Sequence, residues 1–213
     1  MKVVALIPIK MDSERIPHKN ILTLGKHPLC WYVPNELLKV KAINDIYVYC
    51  SDEAIVKYLP SGVSFLERDK ELDGPFVKGN EIYSAFIKKV DADIYVLAHT
   101  TSPFMKYETL ENALNQVILG MNDSAFSAKK IQTFAWYNGK PINYSLNDIP
   151  RTQDMKPIYV ETSSFFIFHK ELFTKYNRRI GFNPYIQEVN DIEAVDIDEP
   201  EDFEYAKKIF EMK

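Results

Sequence analysis

Glycine is absent from the first 24 residues of this 213-residue chain, which read as a short apolar run followed by a loop crowded with charge. A dinucleotide-binding fingerprint needs glycines directly after such a run, so the sequence excludes it. A Walker-type phosphate loop is excluded as well, because no Gly-Lys-Ser/Thr triplet follows the run. The loop within residues 7–20, IPIKMDSERIPHKN, therefore needs another explanation.

Cysteine and long apolar runs are also scarce, and the 30 acidic residues outnumber the 26 lysines and arginines. The formal net charge of -4 does not favour a nucleic-acid or anionic-membrane partner. Cys30 and Cys50 show no metal-ligand spacing, so we predict two reduced core thiols. Residues 1–9 lack the basic start and long apolar stretch of a secretory signal, and no segment reaches membrane-spanning length. We expect a cytoplasmic protein that meets any ligand phosphate with a local basic cluster.

Short β-branched and aromatic runs alternate with helical patterns along the chain. This alternation predicts an α/β fold in one domain over 1–213, with a mostly parallel, Rossmann-like sheet flanked by helices. Pro34 is expected to disturb the first helix, and Pro200 is expected to start the last. Residues 129–160 break the alternation with an aromatic, Asn/Pro-rich stretch, which we interpret as an inserted hairpin or arm. The predicted strands cover 3–9, 45–50, 63–66, 93–98 and 164–168, and the other predicted helices cover 30–40, 80–90 and 107–119.

The opening loop carries Lys10, Ser13, Arg15 and Lys19. Most charged loops are solvated surface turns, and that is one interpretation. The other is a phosphate-holding loop, because open α/β folds bind ligands at the carboxyl ends of their parallel strands. These residues alone leave both interpretations open.

Two further polar groups also have a structural and a functional interpretation. The sequence HTTSP at 99–103 directly follows an apolar strand, and its hydroxyls suit either a ligand or a helix cap. The sequence RTQD at 151–154 lies near the end of the irregular stretch and by itself is typical of an exposed polar turn.

An acidic group lies near the C-terminus. Asp196 and Asp198 occupy alternate positions of a predicted strand, so both carboxylates point to one face, as ligands of a hard cation should. The alternative is an acidic helix start favoured by the helix dipole, which Glu199, Glu201 and Asp202 fit well.

Taken in order along nearly the whole chain, these groups resemble the acylneuraminate cytidylyltransferases (CMP-sialic acid synthetases), relatives of the Kdo cytidylyltransferases. Any single motif is weak, but the ordered set is specific. The matching pieces are IPIKMDSERIPHKNILTLGKHPL at 7–29, CSDEAI at 50–55, RDKEL at 68–72, HTTSPFM at 99–105, RTQD at 151–154 and DIDEPEDF at 196–203.

The resemblance implies transfer of the cytidylyl group of CTP to a sugar acid, with release of pyrophosphate. It implies that Lys10 and Lys19 act on the phosphates, and that Ser13, Asn20 and Arg68 complete the nucleotide site. It further implies a homodimer built by the irregular stretch, which would reach toward the partner's site. The residues it assigns to the sugar-acid pocket are His99, Ser102, Arg151 and Gln153.

The opening loop departs from the family pattern. Lys10 replaces an arginine and loses its two-pronged grip, while Asp12 and Glu14 replace a glycine and a lysine and add negative charge. Positive charge at the reacting phosphate is therefore thin, and a divalent ion would repair that deficit. We predict that Asp198, assisted by Asp196, binds Mg²⁺ at the CTP phosphates.

Two other functions stay open on the sequence. One is a nucleotidyltransferase for another acidic acceptor, such as Kdo or a phosphonate. The other is a degenerate relative that binds nucleotide or only dimerises, for which the acidic residues of the loop argue. Pyrophosphate release from CTP across a panel of sugar acids separates these alternatives.

Overall fold

The computed structural model describes residues 1–212, in which strands and helices alternate as the sequence predicts. The strands are β1 (Val3–Pro8), β2 (Thr23–Leu24), β3 (His27–Pro28), β4 (Asp45–Cys50), β5 (Ser64–Glu67), β6 (Ile94–Ala98), β7 (Ser124–Ile131), β8 (Trp136–Tyr137), β9 (Lys140–Pro141), β10 (Ile158–His169) and β11 (Pro184–Val189). The α-helices are α1 (Leu29–Leu37), α2 (Gly79–Lys89), α3 (Tyr107–Ile118), α4 (Lys170–Tyr176) and α5 (Pro200–Glu211).

The central sheet has seven strands in the order β11-β7-β10-β6-β1-β4-β5. Strand β1 pairs in parallel with β4 and β6, β4 with β5, and β7 with β11. Strand β10 is antiparallel to both β6 and β7. The α/β fold with a mostly parallel sheet is therefore confirmed.

Both faces of the sheet are covered, which explains why β1 reads as a continuous apolar run. Val3, Ala5 and Ile7 point to one face and pack with buried residues of α1 and α3. Val4 and Leu6 point to the other face and pack with buried residues of α2 and α4. A third apolar cluster joins α5 to the segment that follows the opening loop.

The bounds of the predicted helices agree with the structure to within three residues and those of most predicted strands to within one, while the strand predicted at 164–168 is part of the longer β10. Pro34 lies inside α1 without ending it, and Pro200 occupies the first turn of α5 as expected. Strands β7 and β11 and helix α4 had no counterpart in the prediction. Strand β7 has the sequence SAFSAKKI, whose buried small residues give little hydrophobic signal.

The irregular stretch is shorter than predicted. Residues 129–131 belong to the end of β7 and residues 158–160 to the start of β10, so the excursion proper covers 132–157. We call these residues the arm. It contains the two-stranded hairpin of β8 and β9, which is separate from the central sheet.

The prediction of a strand at Asp196 and Asp198 is wrong. This segment has no strand pairing, because the backbone N–H of Ile197 donates instead to the carbonyl of Thr101, at 2.8 Å. Ile197 is fully buried in the third apolar cluster, as the alternating pattern required. The segment is therefore anchored to the loop after β6.

Candidate active site

A polar cavity of about 500 Å³ opens at the carboxyl ends of β1 and β6. In the sheet, β1 lies between β4, the next strand of this sheet along the chain, and β6, which comes later. The strand order therefore reverses at β1, and the cavity lies at this switch point, where open α/β sheets bind ligands. Most of the predicted site residues line it together. These residues are Lys10, Ser13, Lys19, Asn20, His99, Asp196 and Asp198.

Asn20 fastens the opening loop to the end of β6. Its amide nitrogen donates to the carbonyl of Lys10 at 2.9 Å, and its amide oxygen accepts from the Thr100 hydroxyl at 2.7 Å. Asn20 and Thr100 are both buried. The hydroxyl of Ser13 accepts from the backbone N–H of Ile16 at 3.4 Å and turns the loop locally. These contacts hold the charged loop over the cavity.

Lys19 is buried, with 7% of its surface exposed, and its ammonium reaches the start of α5. Its Nζ donates to the carbonyl of Ile197 at 2.7 Å and lies 3.4 Å from Oδ1 of Asp198. A lysine ammonium has three N–H donors, so these contacts leave one donor for a ligand. Arg15 approaches the same carboxylate, with Nη2 3.1 Å from Oδ1 of Asp198, and its Nη1 lies 2.8 Å from Glu199.

Charges in the cavity lining are balanced. The basic members are Lys10, Arg15, Lys19 and Arg179, and the acidic members are Asp12, Glu14, Asp196 and Asp198. A triphosphate entering this cavity therefore meets no net positive charge from the lining. The sequence-based expectation of a thin positive charge agrees with this composition.

Asp196 has the properties of a cation ligand. Its Oδ1 is buried and has no hydrogen-bond partner in residues 1–212. Burial raises the pKa of its carboxyl, the nearby charge of Asp198 adds to this effect, and a hydrogen bond with Thr101 opposes it. A buried carboxylate oxygen without a partner is costly, and a cation relieves that cost.

Asp196 and Asp198 together fit Mg²⁺, which is commonly held by one or two carboxylates, substrate phosphates and water. Among residues 1–212 no group of three or more His, Cys, Asp or Glu side chains has a geometry that could hold a metal. The carboxylate pair would therefore depend on ligand phosphates to complete a magnesium site.

His99 faces the cavity in a fixed orientation. Its Nδ1 lies 2.6 Å from the carbonyl oxygen of Ser163, which can only accept, so Nδ1 carries a proton and Nε2 of the neutral ring is an acceptor. Burial lowers the pKa of His99, and the positive charge of Arg179 lowers it further, while the bond to Ser163 opposes them. A neutral imidazole is thus favoured.

Ser163 and Arg179 line the cavity but were missed by the sequence analysis as site residues. Ser163 has a left-handed backbone, with φ of 57°, where the register of β10 shifts between Glu161 and Phe166. A serine in this conformation is uncommon and marks a constrained position. Arg179 lies between α4 and β11, in a stretch with no recognisable motif, so no sequence signal pointed to it.

The structure does not place the other predicted residues in this cavity. Arg68 is buried near the carboxyl end of β5, where it pairs with Asp73 and donates to the carbonyl of Tyr49 at 3.3 Å. Ser102 is fully buried and its hydroxyl has no partner in residues 1–212.

Arg151 and Gln153 are exposed on the arm. Nε of Arg151 lies 2.7 Å from a carboxylate oxygen of Asp154, so within this chain its charge is satisfied locally. Neither residue lines the cavity, which leaves their predicted contact with a sugar acid to another copy of the chain.

The sheet order and the polar crevice at its switch point are those of an open α/β fold with a ligand-binding site. The chain belongs to the cytidylyltransferase family, whose model matches residues 4–213. Among the described helices, none combines the length and apolarity required to cross a membrane.

Named relatives agree with this family. The chain is 22% identical to the pseudaminic acid cytidylyltransferase of Campylobacter jejuni, over 100% of this chain and 97% of the relative. It is 23% identical to an N-acylneuraminate cytidylyltransferase of Streptococcus agalactiae serotype III, over 95% of this chain and 52% of the relative. It therefore spans about half the length of the latter, and 40% of a two-part Helicobacter pylori relative named for a pseudaminic acid cytidylyltransferase and a hydrolase.

Solved structures support the fold. CMP:2-keto-3-deoxy-manno-octonic acid synthetase, complexed with CTP, has a TM-score of 0.73 at 17% identity and covers 100% of this chain and 99% of its own. The 4-diphosphocytidyl-2C-methyl-D-erythritol synthase of Anaerococcus prevotii has a TM-score of 0.70 at 13% identity, over 99% of this chain and 96% of its own. At these identities the likeness concerns the fold alone.

Proposed function

We propose that this protein transfers the cytidylyl group of CTP to a hydroxyl of a sialic-acid-like (nonulosonic) sugar acid and releases pyrophosphate. The observation that carries the proposal is the cavity at β1 and β6, where lysines and a carboxylate pair converge. Family membership supports the CTP half of the reaction, and the names of the relatives support the acid half.

In the proposed reaction, a hydroxyl oxygen of the acceptor forms a bond to the α-phosphorus of CTP, and the bond from that phosphorus to the oxygen that it shares with the β-phosphate breaks. Pyrophosphate leaves with that oxygen, and the hydroxyl proton passes to water. The step needs alignment of the attacking oxygen and stabilisation of negative charge on the phosphate oxygens. Lys10 and Lys19 supply positive charge, and Ser13 adds a donor. Asn20 holds the loop in position through its two buried hydrogen bonds.

Asp196 and Asp198 would hold Mg²⁺ in this proposal. Bound there, the ion would neutralise phosphate charge and orient the triphosphate. The buried, unpartnered Oδ1 of Asp196 supports this assignment. Asp198 already meets Lys19 and Arg15, so cation binding at this carboxylate is coupled to the two basic side chains.

The acceptor acid is proposed to bind on the other side of the cavity, at His99, whose Nε2 is an acceptor. Ser102 is buried next to this residue, and its backbone N–H donates to the carbonyl of His99 at 3.3 Å. Arg68 is proposed for the cytosine side, because it lies at the same carboxyl edge of the sheet near the end of β5. Arg151 and Gln153 complete the acceptor site only if the arm of a second copy reaches this cavity.

A homodimer is therefore part of the proposal, and the arm is the proposed interface. Its exposed apolar side chains support this assignment, since such patches mark interaction surfaces. They are Trp136, Tyr137, Ile142, Leu146 and Ile149. A cytoplasmic location is also proposed, and the two free, buried cysteines accord with a reducing compartment.

One observation favours a second function. Asp12 and Glu14 lie in the cavity lining and cancel positive charge, which suits a nucleotide-binding relative without catalysis. A nucleotidyltransferase for a different acidic acceptor shares every feature of the nucleotide side.

The test begins with calorimetric titration of CTP into the protein with and without magnesium. Pyrophosphate release is then measured with CTP and an N-acylneuraminate, pseudaminic acid, Kdo or a phosphonate, and CTP without acceptor is the control. Release that requires both magnesium and one nonulosonic acid supports the proposal. Tight CTP binding without pyrophosphate release in the presence of any acceptor supports the non-catalytic alternative. Pyrophosphate release with Kdo or a phosphonate, but with no nonulosonic acid, supports a nucleotidyltransferase with a different acceptor.

A further inference from the structure

Arg179 packs over a core aromatic ring at the edge of the cavity. Its guanidinium carbon lies 3.7 Å from the centroid of the Phe166 ring, so the two planar groups are in direct contact. Phe166 is fully buried in β10, and the His99 ring lies edge-on to it at 6.2 Å. A guanidinium fixed by a core aromatic ring is oriented before any ligand arrives, which reduces the ordering cost of binding.

The charge of Arg179 is only weakly matched within the chain. Oε2 of Glu161 lies 3.8 Å away, and the Tyr83 hydroxyl lies 3.5 Å from Nη1. Both distances are at or beyond the limit of a useful hydrogen bond. Arg15, in contrast, lies 2.8 Å from Glu199 and 3.1 Å from Asp198. Arg179 therefore keeps N–H donors for a ligand.

Position in the sheet separates Arg179 from the phosphate-binding side. Arg179 contacts β10, which borders β6, whereas Lys10 and Lys19 belong to the loop after β1. Its neighbours in the cavity wall are His99 and Ser163, the region assigned above to the acceptor. A planar, preorganised guanidinium matches a carboxylate or a phosphate through two parallel hydrogen bonds. On the acceptor side of the cavity, the group of this kind is the carboxylate of the acid.

We propose that Arg179 is a specificity-determining residue that binds the carboxylate of the acceptor acid. This assignment rests on the proposed function, since it needs an acidic acceptor in the cavity. With Arg179 in this role, the acceptor pocket of a single chain can recognise an acid without Arg151. The charge of Arg151 is paired with Asp154 on the arm.

The variants Arg179→Gln and Arg179→Lys test the proposal, with Arg178→Gln as matched control. Arg178 is the exposed neighbour, packs on Phe182 and donates to the Gly181 carbonyl at 3.0 Å outside the cavity. Loss of a hydrogen-bonded charge pair predicts a KM for the acid about 10- to 100-fold higher in Arg179→Gln, with CTP affinity unchanged. Lysine keeps the charge without the fork and should recover part of the loss. The control should behave as the wild type.

A neutral carboxamide analogue of the accepted acid separates direct contact from a structural role. In the wild type, the KM for the analogue should exceed the KM for the acid by the same factor by which Arg179→Gln raises the KM for the acid. Arg179→Gln should have similar KM values for acid and analogue, because the losses from removing both partners of one contact are not additive. An equal loss with acid and analogue would assign Arg179 a structural role and overturn the proposal. An unchanged KM of Arg179→Gln for the acid, in an enzyme that stays active, would overturn the assignment of Arg179 but not the proposed function. A wild type that binds CTP but turns over no acid would overturn the proposed function and this inference with it.

Discussion

The opening loop and the arm both leave the central sheet, but they differ in how they are attached to the rest of the chain. The loop is tied down at several points: Asn20 bonds to Thr100, and Lys19 reaches across to Ile197 and Asp198. The arm, residues 132–157, is held mainly by its own short hairpin and a few local bonds, such as Gln132 to the carbonyl of Met155 at 2.9 Å.

Burial shows the same contrast. Lys19 and Asn20 are buried polar residues with partners, whereas Trp136 and Tyr137 on the arm are large aromatic residues with 54% and 70% of their surface exposed. One chain thus completes the scaffold of its cavity but leaves apolar surface uncovered elsewhere. This difference supports the proposals that the loop carries the chemistry and the arm the assembly, and each proposal can be tested separately.

The largest effect is expected at Asp198. The substitution Asp198→Asn keeps the shape of the side chain but removes the charge that faces Lys19 and Arg15 and that would bind Mg²⁺. It should abolish magnesium-dependent pyrophosphate release while the melting temperature stays close to that of the wild type, because the side chain is partly exposed. Pyrophosphate assays and calorimetric unfolding measure the two quantities.

Glu199→Gln is the matched control for this experiment. It removes the adjacent carboxylate, which pairs with Arg15 but is not itself part of the cavity lining, and glutamine can still cap α5. Turnover should therefore remain near that of the wild type. Normal magnesium-dependent activity in Asp198→Asn would refute the metal role and leave the carboxylate as part of an acidic helix start.

A smaller but still large effect is expected at Lys19. Lys19→Ala should lose about 2–4 kcal/mol of transition-state stabilisation, the cost of removing one preorganised electrostatic donor. Lys41→Ala, an exposed lysine distant in sequence from the loop, should leave turnover unchanged. Steady-state kinetics with CTP and the accepted acid provide the comparison. If turnover and CTP affinity both survive in Lys19→Ala, the ammonium serves only to anchor the loop to Ile197.

The loop was easier to predict from sequence than the rest of the site. The apolar run VVALIP indicates a strand that is buried on both faces, and the ordered motifs, rather than the loop residues alone, indicated a ligand site at its end. The structure placed Lys10, Lys19 and the terminal carboxylates in one cavity, as the ordered motifs implied.

Other features depend on long-range contacts that no local pattern encodes. The segment at Asp196 alternates like a strand, yet its backbone bonds to the Thr101 carbonyl and joins no ladder. Ser163 lies in the cavity lining at the point where the register of β10 shifts. Arg179 lies there because its guanidinium packs on Phe166 of β10. Such positions follow from how distant segments pack, so reading residues 160–180 alone cannot reveal them.

Substitutions in the arm are expected to change the molecular mass of the protein in solution. Light scattering should give about twice the chain mass for the wild type if exposed arm residues form an interface of the usual kind. The double substitution Trp136→Ser and Ile149→Ser should reduce that mass to one chain without unfolding the sheet. Leu119→Ser, an equally exposed apolar residue at the end of α3, is the control and should remain dimeric. A wild type that is monomeric at high concentration would end the assignment.

The smallest expected effect is a pH dependence of stability at His99. Burial lowers the pKa of His99 below its ordinary value of 6.5, and Arg179 adds to this shift. The unfolded chain therefore takes up a proton more readily than the folded one, so the stabilising contribution is present above pH 6.5 and is lost as the pH falls through 6.5 toward the folded pKa. His99→Gln removes this titration, while the other three histidines remain in both proteins and cancel. Melting temperatures from pH 8 to 5 should thus fall more steeply for the wild type than for His99→Gln. Parallel curves would mean that His99 titrates normally, and that neither burial nor Arg179 acts on the ring in the way that the cavity geometry implies.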